Sequence, residues 1–156
     1  MWLKNILQIV QDSMRRAFEK DGKKVRIDIA LQKNFYTDKH YYLMSVLRNL
    51  VNNAAEAAGE ERADVLVEQK EENGDCVLQV HDNGGGIAPE YLPTIFEPGF
   101  STKINFETGK VSRGLGLSLV KDIVEEELGG VISVKSQTGC TDFTIRIPRE
   151  NLEVER

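Results

Sequence analysis

Apolar residues recur every three or four positions in three stretches of the chain, and this spacing predicts three helices. The predicted helices cover residues 3–20, 39–58 and 115–128. Asp38 precedes the second helix and is expected to cap its N-terminus. Gly59 follows the last apolar turn of that helix and is expected to end it, since glycine is the usual residue at this position.

Apolar and polar residues alternate in five other stretches, which predicts five half-buried strands. The predicted strands cover residues 25–30, 64–71, 75–81, 131–135 and 143–147. Asn73-Gly74 separates the second and third strands, and this dipeptide between alternating runs is the strongest short signal for a hairpin. Because hairpins join most of the strands, the predicted fold is α+β, a two-layer α/β sandwich. Helices are expected on one face of a mixed, mainly antiparallel sheet.

Composition narrows the class of protein. The 156 residues fit one domain over 1–156, and 40% apolar with 29% charged residues is ordinary for a soluble globular chain. A net charge of −5 argues against a general nucleic-acid surface. Cys76 and Cys140 lie far apart and are expected to be free thiols. No apolar run reaches membrane-spanning length, so a cytosolic chain is expected, which includes the cytosolic fragment of a membrane protein.

A carboxylate followed by glycines ends the third strand, in the stretch Asp82-Asn83-Gly84-Gly85-Gly86-Ile87. Asp82 can accept a hydrogen bond from an exocyclic amine. Gly84 and Gly86 let a flat ring approach the backbone, since neither has a Cβ. Taken alone, the same stretch is more typical of a glycine-rich hairpin turn. Its interpretation as a base-binding loop therefore depends on the other motifs.

Three side chains with oxygen atoms share one face of the second helix. Asn49, Asn53 and Glu56 are spaced four and three residues apart, at the edge of the apolar stripe. Amide and carboxylate oxygens suit a hard cation such as Mg²⁺. A solvated helix face is the alternative interpretation of these three residues.

Residues 97–113 form a long loop after a short helical turn, and they are rich in Gly, Ser, Thr and Lys. A loop of this length in a compact domain is usually functional, and here it is predicted to be a lid. Lys103 and Arg113 are the cations best placed to meet phosphates. The stretch Gly114-Leu115-Gly116-Leu117 then opens a helix whose N-terminal N–H groups favour an anion, although a structural turn is as typical of this pattern.

In this order, the four motifs resemble the ATP-binding domain of sensor histidine kinases. That domain belongs to the Bergerat-type fold family shared with DNA gyrase, heat-shock chaperone ninety and mismatch-repair MutL ATPases. The stretches that carry the resemblance are 49–54 (asparagine box), 82–87 (first glycine box), 95–103 (phenylalanine box) and 113–120 (second glycine box). Residues 53–57 and 100–103 look most like the sensors for citrate and C4-dicarboxylates.

The resemblance implies ATP and Mg²⁺ as cofactors and a role for each matched residue. Asp82 would hold the adenine amino group, Asn53 would ligate Mg²⁺, and Lys103 would hold the phosphate chain. The residues that it assigns to nucleotide binding are Asn53, Asp82, Gly84, Gly86, Ile87, Thr102, Lys103, Gly114, Leu115, Gly116, Leu117 and Thr141. Those that it assigns to catalysis are Asn49, Lys103 and Arg113.

Asn49 separates phosphoryl transfer from hydrolysis within this superfamily. Its ATP hydrolases carry a glutamate four residues before the metal-binding asparagine, whereas this chain has an amide there, which cannot serve as a general base. A plain ATPase is therefore disfavoured. The expected function is to bind Mg-ATP and donate the γ-phosphoryl to a histidine. The alternative is a stand-alone anti-sigma-factor-type serine kinase of the same fold.

Neither histidine of the chain resembles a phosphoacceptor. His40 lies near a predicted helix start, and His81 lies at a strand end inside the expected base pocket, where a structural role is expected. The acceptor is therefore expected on a separate dimerisation domain, with a response regulator as the further partner. No nucleic-acid partner is expected. The resemblance implies a cytoplasmic location, as the cytosolic part of a membrane-bound sensor whose ATP-binding domain does not itself contact the membrane.

Overall fold

The computed structural model describes residues 1–87, 89–97, 104–105, 110–111 and 117–156. Its helices form where the apolar spacing predicts them: α1 (Leu3–Lys20), α2 (His40–Ala57) and α3 (Leu117–Asp122). The third helix continues into a π-helical turn over Ile123–Glu127, which the spacing of apolar residues does not predict. None of the helices in the described ranges combines the length and the apolarity that a membrane crossing needs.

The five predicted strands are longer than the alternation predicts, and two further short strands lie within the stretch predicted as a loop. The strands are β1 (Val25–Leu31), β2 (Ala63–Glu72), β3 (Asp75–Asp82), β4 (Ile104–Asn105), β5 (Lys110–Val111), β6 (Val131–Gln137) and β7 (Cys140–Pro148). Five of them form one sheet in the order β1-β2-β3-β7-β6, and β4 and β5 form a two-stranded sheet. The β1–β2 pair is parallel and the others are antiparallel, which confirms the predicted mixed, mainly antiparallel sheet.

The core lies between the helices and one face of the sheet. Along β2, buried Val65 and Val67 alternate with partly exposed Leu66 and Glu68, as a strand covered on one face requires. The helices fill the other side of the core with Leu3, Ile6, Leu43, Leu47 and Leu50, each at most 1% exposed. Burial of an aliphatic side chain stabilises a fold by about 1.5–3 kcal/mol. These contacts fix α2 across the sheet and so fix the position of its C-terminal half.

Two local predictions have opposite outcomes. The Asn73-Gly74 hairpin is confirmed, since both residues take positive φ angles of 52° and 84°. The predicted cap at Asp38 is wrong, because no side chain caps the first turn of α2. Instead, the Thr37 hydroxyl accepts a hydrogen bond from the Lys39 N–H at 3.0 Å, while Asp38 is exposed. Because Thr37 is fully buried, its hydroxyl is fixed beside the first turn of α2, whereas the exposed Asp38 carboxylate is not.

Candidate functional site

A buried carboxylate ends strand β3. Asp82 is 8% exposed, and its Oδ1 accepts a hydrogen bond of 2.9 Å from the Gly84 N–H. Among the described residues, none donates to its Oδ2. Across the sheet, Asp82 pairs with Thr141 of β7, which is 2% exposed. The structure therefore places a carboxylate oxygen and a hydroxyl side by side at the end of two neighbouring strands.

The loop after Asp82 fits between α2 and the β6–β7 hairpin because two of its residues are glycines. A Cβ on Gly84 would lie 2.7 Å from the Cβ of Ala57, at the end of α2. Gly86 has a φ of +83°, and a Cβ there would lie 2.5 Å from the backbone oxygen of Gln137. Both distances are shorter than van der Waals contact allows. Glycine is thus required at both positions, for close approach at Gly84 and also for backbone conformation at Gly86.

Side-chain hydrogen bonds hold both ends of this loop, and sequence reasoning missed them. The Asn83 Oδ1 accepts the Asp64 N–H at 2.8 Å, which ties the start of the loop to β2. The Ile87 N–H donates to the Ser136 Oγ at 2.7 Å, which ties its end to β6. An asparagine directly after a strand is a sequence signal for such a backbone contact. Ser136 gives no comparable signal, since it lies 49 residues from Ile87.

The oxygen-bearing face of α2 lies beside the same loop. Asn53 is 6% exposed and lies four residues before Ala57, whose Cβ faces Gly84, so Asn53 and the loop are on the same side of the helix. The Asn49 Nδ2 donates to the Ser45 backbone oxygen at 2.7 Å, which leaves the Asn49 oxygen as the group to meet a ligand. Glu56 is partly exposed and accepts a hydrogen bond of 3.4 Å from Asn52.

The histidine next to Asp82 lies on the opposite face of the sheet, so the prediction that it lies inside the pocket is wrong. Successive residues of a strand point to opposite faces. The His81 Nδ1 lies 2.7 Å from the Asp142 Oδ1, and its Nε2 lies 3.8 Å from the Glu68 Oε1. The pair His81–Asp142 is thus the neighbouring rung of the sheet to the pair Asp82–Thr141.

Burial raises the pKa of the Asp82 carboxyl, because the ionised form loses hydration inside the protein. The Gly84 N–H opposes this rise by donating to the carboxylate, the nearby charge of Asp142 adds to it, and His81 lowers it again. Burial has the largest effect, so the fold holds the Asp82 carboxyl in an environment that disfavours its ionised form. Such an acid is a candidate for a functional role.

The predicted site residues divide into three groups. The structure brings together Asn53, Asp82, Gly84, Gly86, Ile87 and Thr141, with Asn49 one helical turn before Asn53 on α2. Leu117 begins α3 and its side chain is buried in the core. The remaining residues lie outside the described residues: Thr102, Lys103, Arg113, Gly114, Leu115 and Gly116.

A comparison with protein families identifies the family of the chain. A family described as histidine kinase-, DNA gyrase B- and HSP90-like ATPase matches residues 38–151 of the chain. The chain belongs to this family. The match contains α2, the glycine loop and both strands of the β6–β7 hairpin.

Named relatives within the family are sensor kinases. The sensor histidine kinase GlnK of Bacillus subtilis is 33% identical over 148 residues, which cover 95% of this chain and 36% of GlnK. The sensor protein CitS of the same species is 40% identical over 111 residues, covering 70% of this chain and 19% of CitS. The chain therefore spans about a third or less of the length of these relatives.

Among solved structures, the chain is similar to the nucleotide-free catalytic domain of histidine kinase ThkA. The two superpose with a TM-score of 0.77 at 26% identity, over 97% of each chain. The similarity confirms the fold class, a mixed α/β sandwich of the histidine kinase catalytic type.

Replacement of Gly86 by alanine is expected to lower the free energy of unfolding by about 2 kcal/mol or more. The new Cβ would meet the Gln137 backbone oxygen, and the left-handed conformation disfavours any L side chain. Gly85→Ala is the matched control, because nothing lies within 4 Å of a Cβ at that position, and its effect should stay within about 0.5 kcal/mol. Urea denaturation measures both variants. Equal losses for the two would contradict the packing described for the loop.

Asp82→Asn is expected to raise the free energy of unfolding at pH 7. A carboxyl whose pKa is higher in the folded than in the unfolded chain binds its proton more tightly when folded, so its ionisation opposes folding. That penalty is absent below the unfolded pKa of about 4 and grows as the pH rises through the raised pKa. The difference between variant and native chain should therefore shrink as the pH falls toward about 4.

Urea denaturation at pH 4 and pH 7 measures this dependence. Asp38→Asn is the control, since Asp38 is exposed, and it should show no comparable gain at pH 7. If Asp82→Asn were less stable than the native chain at pH 7, the ionised carboxylate would be stabilising the fold, contrary to the account.

Proposed function

We propose that the chain binds Mg-ATP and donates its γ-phosphoryl group to a histidine on a separate domain, as the catalytic domain of a two-component sensor histidine kinase. The observation that carries the proposal is the buried Asp82 carboxylate, with one oxygen held by the Gly84 N–H and the other left for a ligand. Membership of an ATPase family supports a nucleotide as the ligand.

When the 6-position of a purine faces the Asp82 carboxylate, adenine fits better than guanine does. The adenine 6-amino group is a donor, and a carboxylate is an acceptor. Guanine presents a carbonyl oxygen at the same edge, and its partial negative charge would face the charge of Asp82. Thr141 lies on the adjacent strand and supplies a second polar group next to the base. Gly84 and Gly86 let the loop pack closely against α2 and the β6–β7 hairpin, which holds it beside Asp82.

The face of α2 fits Mg²⁺ and the phosphates. Asn53, with Asn49 and Glu56 on the same face, would hold the metal ion, since amide and carboxylate oxygens are its preferred protein ligands. When bound, Mg²⁺ neutralises charge on the phosphates. Lys103, Arg113 and the backbone of 114–116 are proposed to hold the phosphate chain, together with Thr102 of the predicted lid. These assignments follow from the family resemblance.

Asn49 favours transfer over hydrolysis. Its amide Nδ2 donates to the Ser45 backbone oxygen, and an amide oxygen has no useful basicity toward water. Among the described acidic groups around the loop, Asp82 is proposed to bind the base, Glu56 lies on the proposed metal-binding face, and the Asp64 carboxylate accepts a hydrogen bond from the Asn83 amide. A site of this kind holds ATP in position, and positioning with charge neutralisation accounts for most of the catalysis of phosphoryl transfer.

The phosphoacceptor is proposed to lie outside this chain. The His81 ring is bonded to Asp142 on the face opposite to the base pocket. The Nδ1 of His40 is buried at the start of α2, without a hydrogen-bond partner among the described residues. A dimerisation domain of the same kinase is the proposed acceptor. A response regulator is the proposed further partner, as the complex of ThkA with the response regulator TrrA illustrates for that kinase.

The whole chain is proposed to act as one catalytic domain over 1–156, with a lid at about 97–113. The resemblance of residues 53–57 and 100–103 supports a sensor of small carboxylates as the full-length protein, and the relatives of the chain include the sensor protein CitS. The location proposed for the domain is the cytosolic side of such a sensor.

Calorimetric titration tests the nucleotide site. The native chain should bind Mg-ATP and show at least about 10-fold weaker binding of Mg-GTP, because a hydrogen bond to a charged group contributes about 1.5–3 kcal/mol. Asp82→Asn should remove this preference, since its side chain offers a donor as well as an acceptor. Asn53→Ala should remove the dependence of ATP binding on Mg²⁺. Asp38→Asn and Asn5→Ala, both at exposed positions, are the matched controls.

Absence of ATP binding by the native chain, or an unchanged preference in Asp82→Asn, would contradict the proposal. Rapid hydrolysis of ATP by the isolated chain would contradict the role given to Asn49. Incorporation of labelled phosphate at His40 or His81 would contradict a separate acceptor.

A further inference from the structure

Ser136 connects three parts of the candidate site. It lies on β6, and its Oγ accepts a hydrogen bond of 2.7 Å from the Ile87 N–H, at the end of the glycine loop. The same Oγ lies 2.8 Å from the Thr141 Oγ1 on the other side of the hairpin. Thr141 in turn pairs with Asp82 across β3 and β7. One hydroxyl thus joins the loop backbone to the side chain next to the candidate adenine ligand.

The loop packs closely against Ser136 at Gly86. A Cβ on Gly86 would lie 3.2 Å from the Ser136 Oγ as well as 2.5 Å from the Gln137 backbone oxygen. The loop therefore touches the hairpin at the residue that binds it. A substitution at Ser136 would remove contacts with Ile87 and Thr141 directly and would affect Asp82 only through them.

The hydrogens of the Ser136 and Thr141 hydroxyls determine whether Thr141 can donate a hydrogen bond to a ligand. Each hydroxyl has one hydrogen to donate and two lone pairs. The Ile87 N–H occupies one lone pair of Ser136. When Ser136 donates its hydrogen to Thr141, the hydrogen of Thr141 is left to donate to another group. Adenine carries an acceptor nitrogen beside its amino group, so a carboxylate and a donating hydroxyl match that edge together.

We infer that Ser136 is a positioning residue for base recognition, which orients the Thr141 hydroxyl and fixes the Ile87 backbone for an adenine bound at Asp82. The inference rests on the proposed function, since it assumes that the ligand is an adenine nucleotide. Ser136 itself acts through Thr141 and Ile87 and does not touch the base.

A double-mutant cycle of Ser136→Ala and Thr141→Val tests the inference by calorimetric titration with Mg-ATP. Each single variant should bind about 10-fold more weakly than the native chain, since a hydrogen bond contributes on the order of 1 kcal/mol and two are lost at Ser136. Because Ser136→Ala also removes the hydrogen bond to the Ile87 N–H, the double variant should bind more weakly than Thr141→Val, but by clearly less than the loss that Ser136→Ala causes in the native chain. Ser133→Ala, on an exposed position of the same strand, should bind like the native chain.

Two results would overturn the inference while leaving the proposed function intact. One is native-like ATP binding by Ser136→Ala. The other is a double variant whose loss is the product of the two single losses, which would show that Ser136 acts independently of Thr141. Failure of the native chain to bind Mg-ATP at all would instead overturn the proposed function, and the inference with it.

A third variant keeps the test open should Ser136→Ala be too unstable to titrate. Thr141→Ser retains the hydroxyl that faces Ser136 and should bind Mg-ATP within about threefold of the native chain. A loss as large as that of Thr141→Val would show that the hydroxyl pair does not matter for binding. Thermal melts of every variant separate a loss of binding from a loss of folding.

Discussion

The hydrogen bond from the Gly84 N–H to the buried Asp82 carboxylate is the interaction on which the site depends. It fixes one carboxylate oxygen at the end of β3 and turns the chain sharply away from the strand. The turn carries the following glycines between the last residue of α2 and the β6–β7 hairpin, where side chains do not fit. The positions of the helix and the hairpin are therefore coupled to the position of one acid. Packing of α2 on the sheet supplies the free energy that offsets the hydration lost when this carboxylate is buried.

Two consecutive residue pairs of β3 and β7 lie on opposite faces of the sheet and have different roles. Asp82 and Thr141 face the helices and the candidate site, whereas His81 and Asp142 form a bonded pair on the outer face. Their charges still act on Asp82 through the sheet, Asp142 by raising its pKa and His81 by lowering it. The outer pair thus acts on the pKa of Asp82 from the opposite face of the sheet. A strand's alternation of side chains is sufficient to produce this division.

Local patterns in the sequence predicted much of the fold. The apolar spacing of α1 and α2 and the Asn73-Gly74 turn are signals contained within a few residues, and all three were confirmed. Signals that depend on distant partners failed. β7 begins at Cys140, three residues earlier than the alternation predicts, because pairing with β3 and β6 extends the strand. The parallel pairing of β1 with β2 likewise has no local signature.

The candidate site follows the same division. Asp82, Gly84 and Gly86 could be found from the sequence, because a lone acid before glycines is conspicuous, and the structure gives a steric reason for both glycines. Ser136 could not be found, since its partners lie on a loop and a strand that meet it only in the folded chain. Asn83 and Asp64 show the same relation between the loop and β2.

The chain spans about a third or less of the length of the sensor kinases it resembles, and the task proposed for it is to hold a nucleotide for phosphoryl transfer to another domain. A crystal structure of the chain with Mg²⁺ and a non-hydrolysable ATP analogue tests this account most directly. The account predicts the adenine amino nitrogen within about 3 Å of the Asp82 Oδ2, with the phosphates running toward Asn53. A purine bound at any other place on the molecule would contradict it.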